Sequence, residues 1–117
     1  MPPSLRDASY LWDIVQAARD AIEIARGLDS ESYAADRKSR LAVERCIEII
    51  GEATRRLSDE FKDAQPEVPW QKIIGQRNVL AHDYRDLQHE KILAVVKRDL
   101  PVLVAALEGL LPPPPES

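Results

Sequence analysis

The sequence predicts an all-α protein, an antiparallel bundle of four to five helices in a single domain. Three observations carry this. Apolar residues recur at alternating steps of three and four through most of the chain, the signature of one-sided helices. Glycine is scarce, four in 117 residues, while Ala, Leu, Ile, Glu and Arg fill long stretches, a composition that favours helix. No strand pattern with a period of two stands out.

The elements follow in order. Ser4 opens the first helix, and Ser4 with Asp7 has the spacing of a capping box, with Asp shorter than the usual Glu. Ala8, Leu11, Val15, Ala18, Ile22 and Ala25 then form one apolar stripe, and Gly27 stops it. Leu28 to Asp36 is polar and mixed and reads as a connection. A second long helix is expected over 36–57, with Val43, Ile47, Ile50, Thr54 and Leu57 on one stripe and Ala42, Cys46, Ile49 and Ala53 on another beside it. Together these are wider than one packing partner requires, so the helix is either central in the bundle or meets a second chain.

Ser58 to Pro69 is charged, carries Pro66 and Pro69, and reads as a loop with a short helical turn at Asp59-Glu60-Phe61-Lys62. Pro69 suits the first position of a third helix, where its missing N–H goes unused. That helix is expected over 69–81, with Trp70, Ile73, Ile74 and Leu80 supplying apolar contacts. After Tyr84 a short polar link leads to a last helical region from Ile92, Val95 and Val96. Pro101 interrupts the hydrogen-bond ladder there, so a kink or restart is expected near Asp99, with Leu100, Leu103, Leu107 and Leu110 continuing the stripe. Pro112 to Pro115 cannot extend a helix. The expected organisation is a bundle over 1–111 and a proline-rich tail over 112–117.

A chain this short buries a modest core, and dimerisation would help it. Apolar residues at 44% and charged residues at 31% suit a globular rather than a disordered chain. No apolar run approaches the ~20 residues of a membrane span, and Met1 to Asp7 lacks a signal core. A soluble, cytoplasmic protein with no membrane association is therefore expected. Cys46 is the only cysteine, with no second thiol or histidine beside it, and reads as a buried structural thiol. The net charge of −4 counts against sequence-blind binding along a nucleic-acid backbone, so any contact with RNA should be local and confined to a cleft.

The densest set of reactive side chains is Arg77-Asn78-Val79-Leu80-Ala81-His82-Asp83-Tyr84. Arginine offers a fixed cation for a phosphate oxygen, and histidine moves protons near neutral pH. Asn78 and His82 are four apart and share a helix face. Arg77 and His82 are five apart, roughly 140° around an ideal helix. A long arginine side chain narrows that angle, and a two-fold partner would bring a second copy alongside. The plainer reading of one Arg and one His near a helix end is a surface ion pair or a cap, and spacing alone names no reaction.

The order of several segments does more. Arg77, His82 and Tyr84 match R-x4-H-x-Y. Ala42-Val43-Glu44-Arg45, Ile50-Gly51-Glu52-Ala53, Pro69-Trp70, Ile73-Ile74-Gly75, Arg77-Asn78 and Asp99-Leu100-Pro101-Val102-Leu103 occur around it in sequence. The chain thereby resembles the HepT-like ribonuclease toxins of the HEPN superfamily, from about Leu5 to Leu111. The resemblance implies a HEPN-like bundle, a homodimer with two motifs facing one cleft, and a metal-independent endoribonuclease that needs no cofactor. It implies that His82 shuttles protons, that Arg77 stabilises the phosphorane, and that Asn78 orients the phosphate or His82. It further implies that Tyr84 accepts AMP from a minimal nucleotidyltransferase antitoxin, placing bulk and negative charge beside Arg77 and His82. The plainer role for Tyr84 is ring packing and one hydrogen bond.

Other polar residues read as structural. Glu52 in an apolar helix face needs a partner, either Arg77 or an arginine of its own helix. Gly51 suits close helix packing, His89 a surface or capping role, and Trp12 and Trp70 the core. Arg37-Lys38-Ser39-Arg40 is a solvated face or a guide for RNA. Two other classes stay open: a non-catalytic helical subunit that binds a nucleotidyltransferase, which the acidic charge favours, and a generic dimeric helical adaptor.

Overall fold

The computed structural model describes residues 3–75 and 89–112. Among the described residues every regular element is helical. The elements are α1 (Leu5–Ala25), α2 (Ser30–Ala35), α3 (Arg37–Arg56), α4 (Asp59–Asp63), α5 (helical over 70–75, to the edge of the described chain), α6 (His89–Ala94), a π-helical turn (Val95–Asp99) and α7 (Leu100–Glu108).

α1 begins as its sequence predicts. The Ser4 hydroxyl accepts from the Asp7 amide at 3.1 Å, and Gly27 adopts a left-handed φ of 79° just beyond the end. The second half of the expected capping box goes elsewhere. The buried Asp7 carboxylate accepts from the Ser58 amide (2.8 Å) and the Ser58 hydroxyl (2.6 Å). Ser58 Oγ in turn accepts from the Phe61 amide and caps α4. One carboxylate thus ties the start of α1 to the link between α3 and α4, which sets α1 and α3 antiparallel.

The predicted stripes face each other across this pair. Leu11, Val15 and Ala18 of α1 and Val43, Ile47, Ile50, Thr54 and Leu57 of α3 and its end are buried. Ala17, Ala21 and Ala25 are buried too, small side chains that let the backbones approach. Of the second stripe of α3, Cys46 and Ala53 are buried, and Ala42 and Ile49 are half-buried. Thr54, fully buried, donates its hydroxyl to the Ile50 carbonyl at 2.6 Å, so it brings no unsatisfied group into the seam.

Residues 28–36 are not a plain connection. α2 forms there because Asp29 and Ser32 cap it reciprocally. Asp29 Oδ1 accepts from the Ser32 amide at 2.8 Å, and Ser32 Oγ accepts from the Asp29 amide at 2.9 Å. Asp36 ends α2 and caps α3, accepting from the Ser39 amide at 3.1 Å and hydroxyl at 2.8 Å. These bonds hold the Asp29 and Asp36 carboxyls below the usual range. Six residues are too few for an independent helix, and Tyr33, fully buried, is the one that anchors α2 to the core.

The Pro101 expectation is met by a widened turn rather than a break. Proline has no N–H for the carbonyl four residues back, and its ring crowds that carbonyl. The preceding turn opens to π-helical geometry and α7 resumes at Leu100, with helical backbone angles on both sides. Leu100, Leu103 and Leu107 are buried. Arg19 pairs with Glu108 at 2.8 Å, and Trp12 Nε1 donates to the Pro112 carbonyl at 3.0 Å, so α7 runs antiparallel to α1. Trp12 is half-buried rather than core, because its ring nitrogen seeks that carbonyl at the surface. No helix among the described residues is long and apolar enough to cross a membrane.

Candidate functional site

The sequence places its reactive set, Arg77, Asn78, His82 and Tyr84, in the stretch 76–88, which lies outside the described residues, as does Leu80. The structure describes what flanks that stretch. Arg77 follows Gly75 by two residues, and Tyr84 precedes His89 by five.

The upstream flank is α5. The Pro69 carbonyl accepts from the Ile73 amide at 3.1 Å, so Pro69 stands at the cap rather than at the expected first helical position, which Trp70 takes. Trp70 and Ile73 are buried, and Ile74 is half-buried. Trp70 Nε1 is shared between the Lys62 and Gln65 carbonyls, both at 3.1 Å. Its ring packs at 6.2 Å from that of Phe61. The two carbonyls and one ring fix the orientation of α5 on α4 and the loop that follows it.

The downstream flank is α6, which starts at His89. The expectation of a surface or capping histidine needs correction. His89 is half-buried, and its ring meets that of Tyr33 at 6.1 Å between centroids and 78° between planes, an edge-to-face contact. The reason is α2, which delivers Tyr33 to this point. The sequence reading passed over Tyr33 because it took 28–36 as a connection. The Asp29-Ser30-Glu31-Ser32 capping pattern was the available signal.

The α2–α6 joint is unusually polar for a packed contact. Tyr33 Oη, Arg40 Nε and His89 Nδ1 are buried and have no hydrogen-bond partner among the described residues. Burial pushes the Tyr33 hydroxyl up to about 12, with the Glu44 carboxylate adding to the rise and the Arg40 guanidinium opposing it. The outer side of His89 opens onto a groove lined by Ser30, Glu31, Ala34 and Glu90.

The remaining candidates fall into structural roles. Cys46 is buried, and burial, with Asp20 nearby, pushes its thiol up, away from the reactive thiolate. Glu52 reaches the arginines of its own helix, Arg55 at 3.2 Å and Arg56 at 3.1 Å. The alternative partner, Arg77, lies outside the described residues. Gly51 is buried in α3. Arg37 and Lys38 are exposed in the first turn of α3. Among the described residues no group of three His, Cys, Asp or Glu side chains is arranged to hold a metal.

The fold and these flanks define a small protein, helical throughout its described regular elements, whose Arg- and His-bearing stretch lies in the sequence between α5 and α6. The family profile described as ribonuclease HepT-like matches residues 14–110. A Methanocaldococcus jannaschii protein named as an RNase is 36% identical over 106 residues, covering 90% of this chain and 97% of that one. A Thermococcus cleftensis protein named as a ribonuclease HepT is 36% identical over 101 residues, covering 86% and 92%. An RNase-named protein of Caldanaerobacter subterraneus is 32% identical over 102 residues, covering 87% and 91%. No solved structure matches. The chain belongs to the HepT-like ribonuclease family.

Proposed function

We propose that this chain is a metal-independent endoribonuclease toxin, acting in the cytoplasm as a homodimer, with Arg77, Asn78 and His82 as its catalytic residues. The observation that carries the reading is the family match over 14–110, which spans the R-x4-H-x-Y set at Arg77, His82 and Tyr84. In the proposed reaction His82 takes the proton of a ribose 2′-OH as its oxygen bonds to the adjacent phosphorus. The bond from phosphorus to the 5′-oxygen breaks, and the leaving oxygen takes a proton, giving a 2′,3′-cyclic phosphate and a 5′-OH. Arg77 faces the charge that builds on the phosphorane, and Asn78 orients the phosphate or His82. A homodimer would bring two copies of this set to one cleft. The bundle over 1–111 carries the chemistry, and a proline-rich tail over 112–117 follows it.

Control is proposed through Tyr84. Its oxygen attacks the α-phosphorus of a nucleoside triphosphate held by a nucleotidyltransferase antitoxin. Pyrophosphate leaves, and AMP remains on the tyrosine. The added bulk and charge would bar RNA from Arg77 and His82.

The net charge of −4 favours a second reading, a non-catalytic helical subunit that docks a nucleotidyltransferase. The test is cleavage of RNA by the unmodified chain in EDTA, beside Arg77→Ala and His82→Ala, with intact mass recorded. The expected outcome is wild-type cleavage that each variant lowers at least about a hundredfold. No cleavage at the unmodified mass supports the docking subunit. No cleavage with AMP mass on Tyr84 means the silenced form was purified.

A further inference from the structure

α6 is the first described element after the stretch that carries Arg77, Asn78, His82 and Tyr84, and among the described elements outside its own helical run it packs chiefly on α2. α2 is six residues long and buries one side chain, Tyr33. That side chain meets the first residue of α6 edge-to-face, at 6.1 Å and 78°. Neither polar atom makes the joint: Tyr33 Oη and His89 Nδ1 have no hydrogen-bond partner among the described residues. What holds α6 to α2 here is ring against ring. α2 is itself fixed at both ends, by the Asp29–Ser32 exchange and by Asp36, which also caps α3. A path of capped helices therefore runs from the long helix α3 through α2 to His89.

The geometry points to Tyr33 as a positioning residue, whose ring on His89 fixes the point where the Arg77–Tyr84 stretch joins α6. The inference rests on the ribonuclease reading above for its consequence in catalysis, but not for the clamp itself. Tyr33 touches no substrate. It acts through His89, seven residues after His82 in the sequence, by fixing the start of α6, to which that stretch is connected. Small displacements of reacting groups are expensive in rate, so loosening this joint lowers turnover while leaving RNA binding largely intact.

The experiment uses the full chain with its mass checked and a mixed-sequence oligoribonucleotide carrying a fluorophore and a quencher. Tyr33→Leu and His89→Leu remove a ring at similar volume, and Tyr33→Phe and His89→Phe keep one. Each Leu variant is expected to lower kcat about tenfold with KM within about twofold, and the double Leu variant to fall no further than the worse single one, because both lose the same contact. The Phe variants are expected within about twofold of wild type. Leu variants that fold and keep wild-type kcat, a double variant whose losses multiply, or Phe variants as poor as Leu would each overturn the proposal. Amide exchange is read alongside. Faster exchange in the peptides entering α6 is expected in the Leu variants and not in the Phe variants, and unchanged exchange overturns the clamp whatever the cleavage shows. If the wild type does not cleave, or His82→Ala cleaves like it, the ribonuclease reading fails, and exchange alone decides the clamp. Should Tyr33→Leu fail to fold, His89→Leu, at a half-buried position, takes its place.

Discussion

The seam between α1 and α3 and the joint between α2 and α6 are built on opposite principles. The seam is apolar and complete: Leu11, Ile14, Val15, Ile47 and Ile50 are buried, and its polar members, Asp7 and Thr54, are hydrogen-bonded. The joint is aromatic and polar, and leaves Tyr33 Oη, Arg40 Nε and His89 Nδ1 buried without hydrogen bonds among the described residues. An unsatisfied buried polar atom costs about 1–3 kcal/mol, and no protein group among the described residues offsets that cost at the joint. The first region holds the fold. The second adjoins the reactive stretch in the sequence, His89 following Tyr84 by five residues.

Three measurements sharpen or break that contrast. The largest effect is expected from Ile50→Ala in the seam, a loss of about 2–5 kcal/mol in thermal or denaturant unfolding, with cleavage by the folded fraction unchanged. A small loss would mean that the seam is not the source of stability. Asp7→Ala comes next. It strips the Ser58 amide and hydroxyl of their charged acceptor, and a loss of about 2–3 kcal/mol is expected. A cost under about 0.5 kcal/mol would show that Ser58 finds another partner and that the link does not set α1 on α3.

The smallest effect belongs to the joint and appears only in alkali. The Tyr33 hydroxyl stands at about 12 against an ordinary 10.0, so the folded chain favours its neutral form. The associated stabilisation is present in full below pH 10 and is lost as pH rises from 10 towards 12. At pH 11 the unfolded tyrosine is about nine-tenths ionised, and wild type should have lost on the order of 1 kcal/mol more than Tyr33→Phe relative to pH 9. Parallel stability curves for the two proteins would show that the hydroxyl is not held neutral by the fold.

Much of the architecture was legible because helices announce themselves locally. The stripe from Ala8 to Ala25, the glycine stop at Gly27, the α3 stripe from Val43 to Leu57 and the turn at Asp59-Glu60-Phe61-Lys62 depend on neighbours within a few residues, and each is present. The disturbance before Pro101 was equally local in cause. Its form, a π-helical turn instead of a break, was not. α2 escaped because the six residues Ser30-Glu31-Ser32-Tyr33-Ala34-Ala35 are too few to show a periodicity, and its hold on the core comes from one buried tyrosine.

The sequence by itself determined the helical class, the main stripes, the cap at Ser4, and the membership carried by the ordered segments around Arg77, His82 and Tyr84. Periodicity, capping and motif order are short-range properties written along the chain. Tertiary structure alone decided that Asp7 turns from its own helix to Ser58, 51 residues away, that Trp70 shares its N–H between a carbonyl of α4 and one of the loop after it, and that Tyr33 meets His89. These choices depend on which surfaces packing brings together, and a side chain with several possible partners takes the one that the fold places within reach.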